Sequence, residues 1–177
     1  MKPLTRATVI GVLVGCLIVA GGITALIKHR EHPRESNAVT VNRREINANI
    51  GEQLFRAARS GNVDRLKSIL DKYPDQINAP GNSYGSTALQ AAVWYSQPLA
   101  VNELLRQKAN VNATNAFGIT PLHDCAQRGT AEIAQLLLDH GADVTLRNRA
   151  GQTPLQVAME SDNTNVADVL RQHGAQE

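Results

Sequence analysis

Two hydrophobic patterns divide the chain. From Ala7 to Ile27 the sequence runs ATVIGVLVGCLIVAGGITALI, 21 residues without a charge. Beyond residue 51 the apolar positions instead fall in short clusters, each closed by a glycine or a polar turn. At helical rise the first pattern extends roughly 31 Å, close to the ~30 Å hydrocarbon core of a bilayer. It predicts a single membrane-spanning helix over 7–27, in a segment covering residues 1–27. The second pattern predicts pairs of short helices, with Leu and Ile on one face and Ala where helices approach closely.

Two other fates compete for the first segment. Ala20 and Gly22 supply the small-x-small exit of a cleaved secretory signal, although Ile23 to Ile27 carry the apolar run past it. Leu13-Val14-Gly15-Cys16 resembles a bacterial lipobox, but processing there would leave Cys16 followed by a markedly apolar start. A retained anchor is the reading adopted. Ala7, Gly11 and Gly15 recur every fourth residue, with Gly22 on the same face, the small-xxx-small spacing that lets membrane helices pack in pairs. A homodimer through Ala7, Gly11 and Gly15 is therefore an expectation, set against the general abundance of Gly and Ala in such helices. Lys2 and Arg6 precede the span and Lys28, Arg30, Arg34, Arg43 and Arg44 follow it. That count leans towards a cytoplasmic C-terminal domain, whereas short basic N-termini commonly stay inside, so the side is open.

Residues 28–50, KHREHPRESNAVTVNRREINANI, carry charge and a proline without a sustained period, and read as a solvated tether with helix towards its end. His29 and His32 lie three apart, but no further ligands stand nearby, and the metal reading is set aside.

After residue 51 the apolar clusters repeat. Gly85-Ser86-Thr87-Ala88-Leu89, Gly118-Ile119-Thr120-Pro121-Leu122 and Gly151-Gln152-Thr153-Pro154-Leu155 recur at intervals of 33 residues. Ala109-Asn110-Val111-Asn112 aligns in the same frame with Ala142-Asp143-Val144-Thr145. A looser copy precedes them, with Leu54, Ala57, Ala58 and Gly61 at the places of Leu122, Cys125, Ala126 and Gly129, and two extra residues around 74–82. A fixed period of this length is the mark of a solenoid.

These residues resemble the ankyrin repeat, whose G-x-TPLH-x-A and LL-x-x-GAD-V signatures are nearly complete at 118–144. The resemblance covers about 52–176. It implies an all-α solenoid of helix-turn-helix units with β-hairpin loops, over a domain of 51–177. The units are 52–80 as an N-terminal cap, 81–113, 114–146, and 147–176 as a C-terminal cap. The local chemistry agrees: Thr120 can cap free backbone donors, Pro121 suits the first helical position, and Gly141 suits a left-handed exit. Helices of about ten residues are too short to stand alone, so stability must come from stacking. Ser96, Lys108 and Asp162 stand where the family usually has Gly, and Gln90 and Gln156 where it has His.

Composition narrows the function. Residues 1–50 carry seven Lys/Arg against three Asp/Glu, and residues 51–177 eleven against thirteen. A slightly acidic repeat domain is unlike a phosphate-binding surface, and nucleic acid is not expected. Two cysteines, Cys16 and Cys125, exclude a disulfide framework. His123-Asp124-Cys125 is the one cluster that could suggest catalysis. Successive helical residues point about 100° apart, so the three cannot converge on one substrate atom. The resemblance makes His123 a tie between neighbouring repeats, and Cys125 matches Ala92 and Ala158 at an inward position. No enzyme, cofactor, metal or small-molecule substrate is expected.

Binding is what the resemblance leaves, through hairpin tips and the concave helix surface. Tyr84, Asn115, Phe117 and Arg149 fall at the tips, and Asp124 at a variable helix position shared by Ala91 and Val157. Trp94 and Tyr95 replace Gln127 and Arg128, and Glu160 and Ser161, of the sister units, which marks them either as a partner anchor or as filling beside the 74–82 loop. The expected partner is a protein, bound by a membrane-anchored scaffold or adaptor or, in the alternative, by a secreted, periplasmic or lipid-anchored inhibitor, immunity or accessory factor for an enzyme.

Overall fold

The structure, a computed structural model, describes residues 34–176. The apolar segment 7–27, the dimer residues Ala7, Gly11 and Gly15, the basic residues before Arg34, and the His29–His32 pair lie outside the described residues. Among the described residues no helix is long and apolar enough to cross a membrane.

Eight α-helices form among the described residues: α1 Arg34–Arg59, α2 Val63–Leu70, α3 Ala88–Trp94, α4 Pro98–Arg106, α5 Pro121–Arg128, α6 Ala131–Asp139, α7 Pro154–Glu160 and α8 Thr164–Gln172, with a short 3-10 turn at Pro74–Gln76. The odd-numbered helices stack on one another as an inner layer, and the even-numbered ones as an outer layer. α1 begins at Arg34, inside the stretch read as a tether, and the core begins at Ile50.

The starts of α3, α5 and α7 follow from their sequence. Thr87, Thr120 and Thr153 each accept a hydrogen bond from the backbone N–H three residues on, closing the capping box with Gln90, His123 and Gln156. Pro121 and Pro154 occupy the first helical position, where a missing N–H costs nothing. None of these helices exceeds nine residues apart from α1, so packing must hold them. Leu54, Leu66, Leu89, Leu104, Leu122, Ile133, Leu137, Leu155 and Leu170 are fully buried between the layers, each contributing about 1.5–3 kcal/mol. Ala57, Ala58, Ala92, Cys125, Ala126 and Ala158 let the inner helices approach.

The helix exits need left-handed backbone. Gly141 has φ +84°, as expected, and Lys108 at the equivalent place is held at φ +66°. Ser96 and Asp162 also have positive φ, at 50° and 54°. Gly129, in the same register, is extended at φ −78°, and its role is space: an added Cβ would run into Cys125. The extra residues before Gly81 fold against α1, where Gly51 leaves no room for a side chain beneath the Pro80 carbonyl.

The expected β-hairpin loops form no strands among the described residues. Each tip is a tight turn with two backbone bonds: an outer one, Gly81 N to Ser86 O, Asn115 N to Ile119 O or Asn148 N to Gln152 O, and an inner one, Gly85 N to Asn82 O, Gly118 N to Asn115 O or Gly151 N to Asn148 O. With so few residues per arm, no ladder develops. The tips are joined in series instead: Ala116 N donates to Tyr84 O at 2.8 Å, and Arg149 N to Phe117 O at 3.0 Å.

Candidate functional site

The repeated Asn residues build the tips. Asn82 Oδ1 accepts from the N–H groups of Tyr84 and Ser86. Asn115 does the same for Phe117 and Ile119, and Asn148 for Ala150 and Gln152. These are Asx turns, in which a short side chain stands in for backbone. The Asn115 carbonyl oxygen is thus engaged within its own loop, and the residue is half-buried. What the loops present outward are Tyr84 and Phe117, 57% and 49% exposed, their rings tilted at 41° with centroids 5.6 Å apart.

These two rings form one wall of a groove of about 320 Å³ between the tips and the inner helices. Trp94 and Tyr95, at the end of α3, line it as well, together with Phe55 of α1 and Gln127 of α5. Trp94 is half-buried, and the Arg128 guanidinium lies over its ring at 4.9 Å. Arg59 caps Tyr95 in the same way at 4.7 Å. Both contacts are cation–π stacks that fix otherwise free rings.

Asp124 borders the groove from the first turn of α5 and is 7% exposed. Its Oδ2 accepts from Gln90 Nε2 at 3.3 Å. Burial pushes its carboxyl up to about 7, only partly opposed by the Gln90 amide. The same Nε2 donates to Ile119 O at 2.9 Å, so Gln90 ties α3 to the next tip while touching the acid.

His123 makes the equivalent tie one unit on. Its Nε2–H donates to Gln152 O at 2.9 Å, and its Nδ1 faces the Thr120 hydroxyl at 2.8 Å and N–H at 3.3 Å. A carbonyl can only accept, which assigns the proton to Nε2. Burial lowers the imidazole's affinity for a second proton, and the Gln152 carbonyl acts the other way. Cys125 is fully buried, with Sγ 3.6 Å from Thr130 O, and its thiol is pushed up to about 12, first by burial and then by the neighbouring Asp124. The three adjacent residues therefore serve three different places: a tie, a groove floor and a helix contact.

The groove gathers Tyr84, Trp94, Tyr95, Asn115, Phe117 and Asp124. Arg149 stands apart, exposed on the following tip, and joins only through its N–H. Phe55, Gln90, Gln127, Arg59 and Arg128 were not expected at this site. Gln90 carried a usable signal, since it shares register with His123 and Gln156. The two arginines carried none, because a ring stack between units leaves no local pattern.

Residues 97–177 match the family model for ankyrin repeats (3 copies). The chain is 37% identical over 94 residues to the ankyrin repeat domain-containing protein SAT10 of Stachybotrys chartarum, covering 53% of this chain and 5% of that protein. It is 38% identical over 85 residues to the SMC5-SMC6 complex localization factor protein 1 of Bos taurus, with 48% and 8% covered. Over 53 residues it is 42% identical to the NF-kappa-B inhibitor zeta of Mus musculus, with 30% and 7% covered. The chain thus spans less than a tenth of the length of each of these relatives. The likeness to ankyrin repeats is thus shown over 97–177, and repeats of this kind imply protein–protein interaction.

Proposed function

We propose that this protein is a membrane-tethered interaction module, an adaptor or scaffold that grips a partner protein through the groove between its tips and inner helices. The observation that carries the reading is the clustering of Tyr84, Trp94, Tyr95 and Phe117 around one concavity in a chain with only 3% aromatic residues. Aromatic side chains supply large contact area at low entropic cost and dominate interface energies. The uncharged run 7–27 supports the tether, and Ala7, Gly11 and Gly15 would allow two copies to pair. Relatives named as a localization factor and an inhibitor are consistent with a role exercised by binding.

Replacing Trp94 and Tyr95 together by Ala in the full chain tests the reading. Loss of partner capture at an unchanged melting temperature is expected. A large fall in melting temperature with capture retained would make the two rings packing beside the 74–82 loop. Extraction of the chain from membranes by alkaline carbonate would remove the tether without touching the groove.

A further inference from the structure

Among the described residues, Asp124 is the one acidic or basic side chain lining the groove. Its counterparts in the sister units are Ala91, which is buried, and Val157, which packs against the core. An apolar residue therefore satisfies the fold at this position, and nothing in the packing calls for an acid. The carboxylate has about four acceptor positions. One long bond from Gln90 occupies one of them, and that amide is shared with Ile119 O. None of the ion pairs among the described residues includes Asp124. A carboxyl this covered and this lightly supported lacks a cation.

We propose that the groove takes the guanidinium of an arginine side chain from a partner protein, with the Asp124 carboxylate as counter-ion and Tyr84, Phe117 and Trp94 as walls. This rests on the groove being the partner-binding surface and adds what it selects. Guanidinium is planar, weakly hydrated, able to stack on aromatic faces and able to form two parallel bonds to one carboxylate. An ammonium meets only the charge requirement. The concavity lies at the small end of ligand-site volumes, suited to one inserted side chain rather than a helix. Arg59 and Arg128 stack on Tyr95 and Trp94 and place positive charge near the groove. The same stacks show that aromatic rings at this edge of the groove accept a guanidinium face.

The sole tryptophan of the chain is Trp94, so its fluorescence reports on the groove directly. The full chain in detergent is titrated with the peptide Gly-Ser-Gly-Xaa-Gly-Ser-Gly, in which Xaa is Arg, Lys, citrulline or Leu. The same series is run on Asp124→Asn, whose fold is checked by circular dichroism. The Arg peptide is expected to bind with Kd of about 1 mM, the scale of a single anchored side chain. It should bind at least about ten-fold tighter than the uncharged, nearly isosteric citrulline peptide, with Lys between, and Asp124→Asn should erase the difference. Citrulline or Leu binding as well as Arg, no binding of the Arg peptide, or an Arg preference surviving Asp124→Asn would overturn the assignment. Partner capture lost in the Trp94/Tyr95 pair variant but unaltered in Asp124→Asn would likewise overturn it, while leaving the groove as an interface. Capture unaffected by either variant would remove both readings.

Discussion

Two carboxylates, each 7% exposed, sit on opposite layers of the array and differ in almost everything else. Glu103, on outer helix α4, is covered by the very side chains that bind it. Arg106 grips it with two bonds of 3.2 and 2.8 Å, Gln107 donates at 2.7 Å, and Lys67 of α2 stands 4.0 Å away. The Arg106 hydrogen bond is the largest influence and holds its pKa below the ordinary value against the opposing effect of burial. Asp124, on inner helix α5, is walled in by the fold itself and has one amide donor, and its pKa rises to about 7. Equal surface exposure thus goes with pKa shifts in opposite directions, because Glu103 lies shallow beneath its own donors whereas Asp124 lies deep in the fold. Desolvation dominates at Asp124 and the hydrogen bond from Arg106 dominates at Glu103.

The sharpest way to break this contrast is Asp124→Asn. A carboxyl whose folded pKa is raised contributes stability below its unfolded value, near 3.8, and loses that contribution as pH rises towards about 7. The variant should therefore gain on the natural protein between pH 5 and pH 8, by about 2–3 kcal/mol in urea unfolding. His123 titrates in both proteins, its lowered pKa costing stability as pH falls below the unfolded value, so the difference isolates Asp124. A pH-independent difference would mean that Asp124 is already ionised.

Glu103→Gln should act in the opposite direction, destabilising at pH 7 by about 0.5–1 kcal/mol through the loss of charge-assisted bonds screened by solvent at the surface. Its lowered pKa places that contribution above the unfolded value, to be lost as pH falls through the folded one. Thermal unfolding at pH 7 and pH 3 would show the gap between variant and parent closing in acid. The smallest effect is expected from Lys67→Ala. The lysine is 47% exposed and 4.0 Å distant, so its removal should change stability by less than about 0.5 kcal/mol in the same assay. A larger loss would make Glu103 part of a three-charge network.

Much of the helical frame could be read from local chemistry. Thr-Pro-Leu marked the starts of α5 and α7, the register of Gly141 marked the left-handed exit, and Lys108 was expected there in spite of its Cβ. Such features depend on residues within a turn of one another. The groove was harder to read. Tyr84 and Phe117 were identifiable as tips, but their pairing joins residues 33 apart, and Trp94 lines the same groove from a helix. Asp124 was placed at a variable helix position, and its own helix says nothing about the contact supplied by the preceding unit through Gln90. Asn115 was read as a tip residue, and its Asx turn with Phe117 and Ile119 was not visible in the sequence. The missing strands have a related cause: the period showed where the tips fall, but not how few residues each arm would hold.

The serial bonds from Tyr84 to Ala116 and from Phe117 to Arg149 bear on the thermodynamics of association. Loops tied backbone to backbone in this way are already ordered in the free molecule, so docking forfeits little loop entropy. Calorimetry of an authentic complex should then show a heat-capacity change no larger than the contact area accounts for, without the excess that accompanies coupled folding.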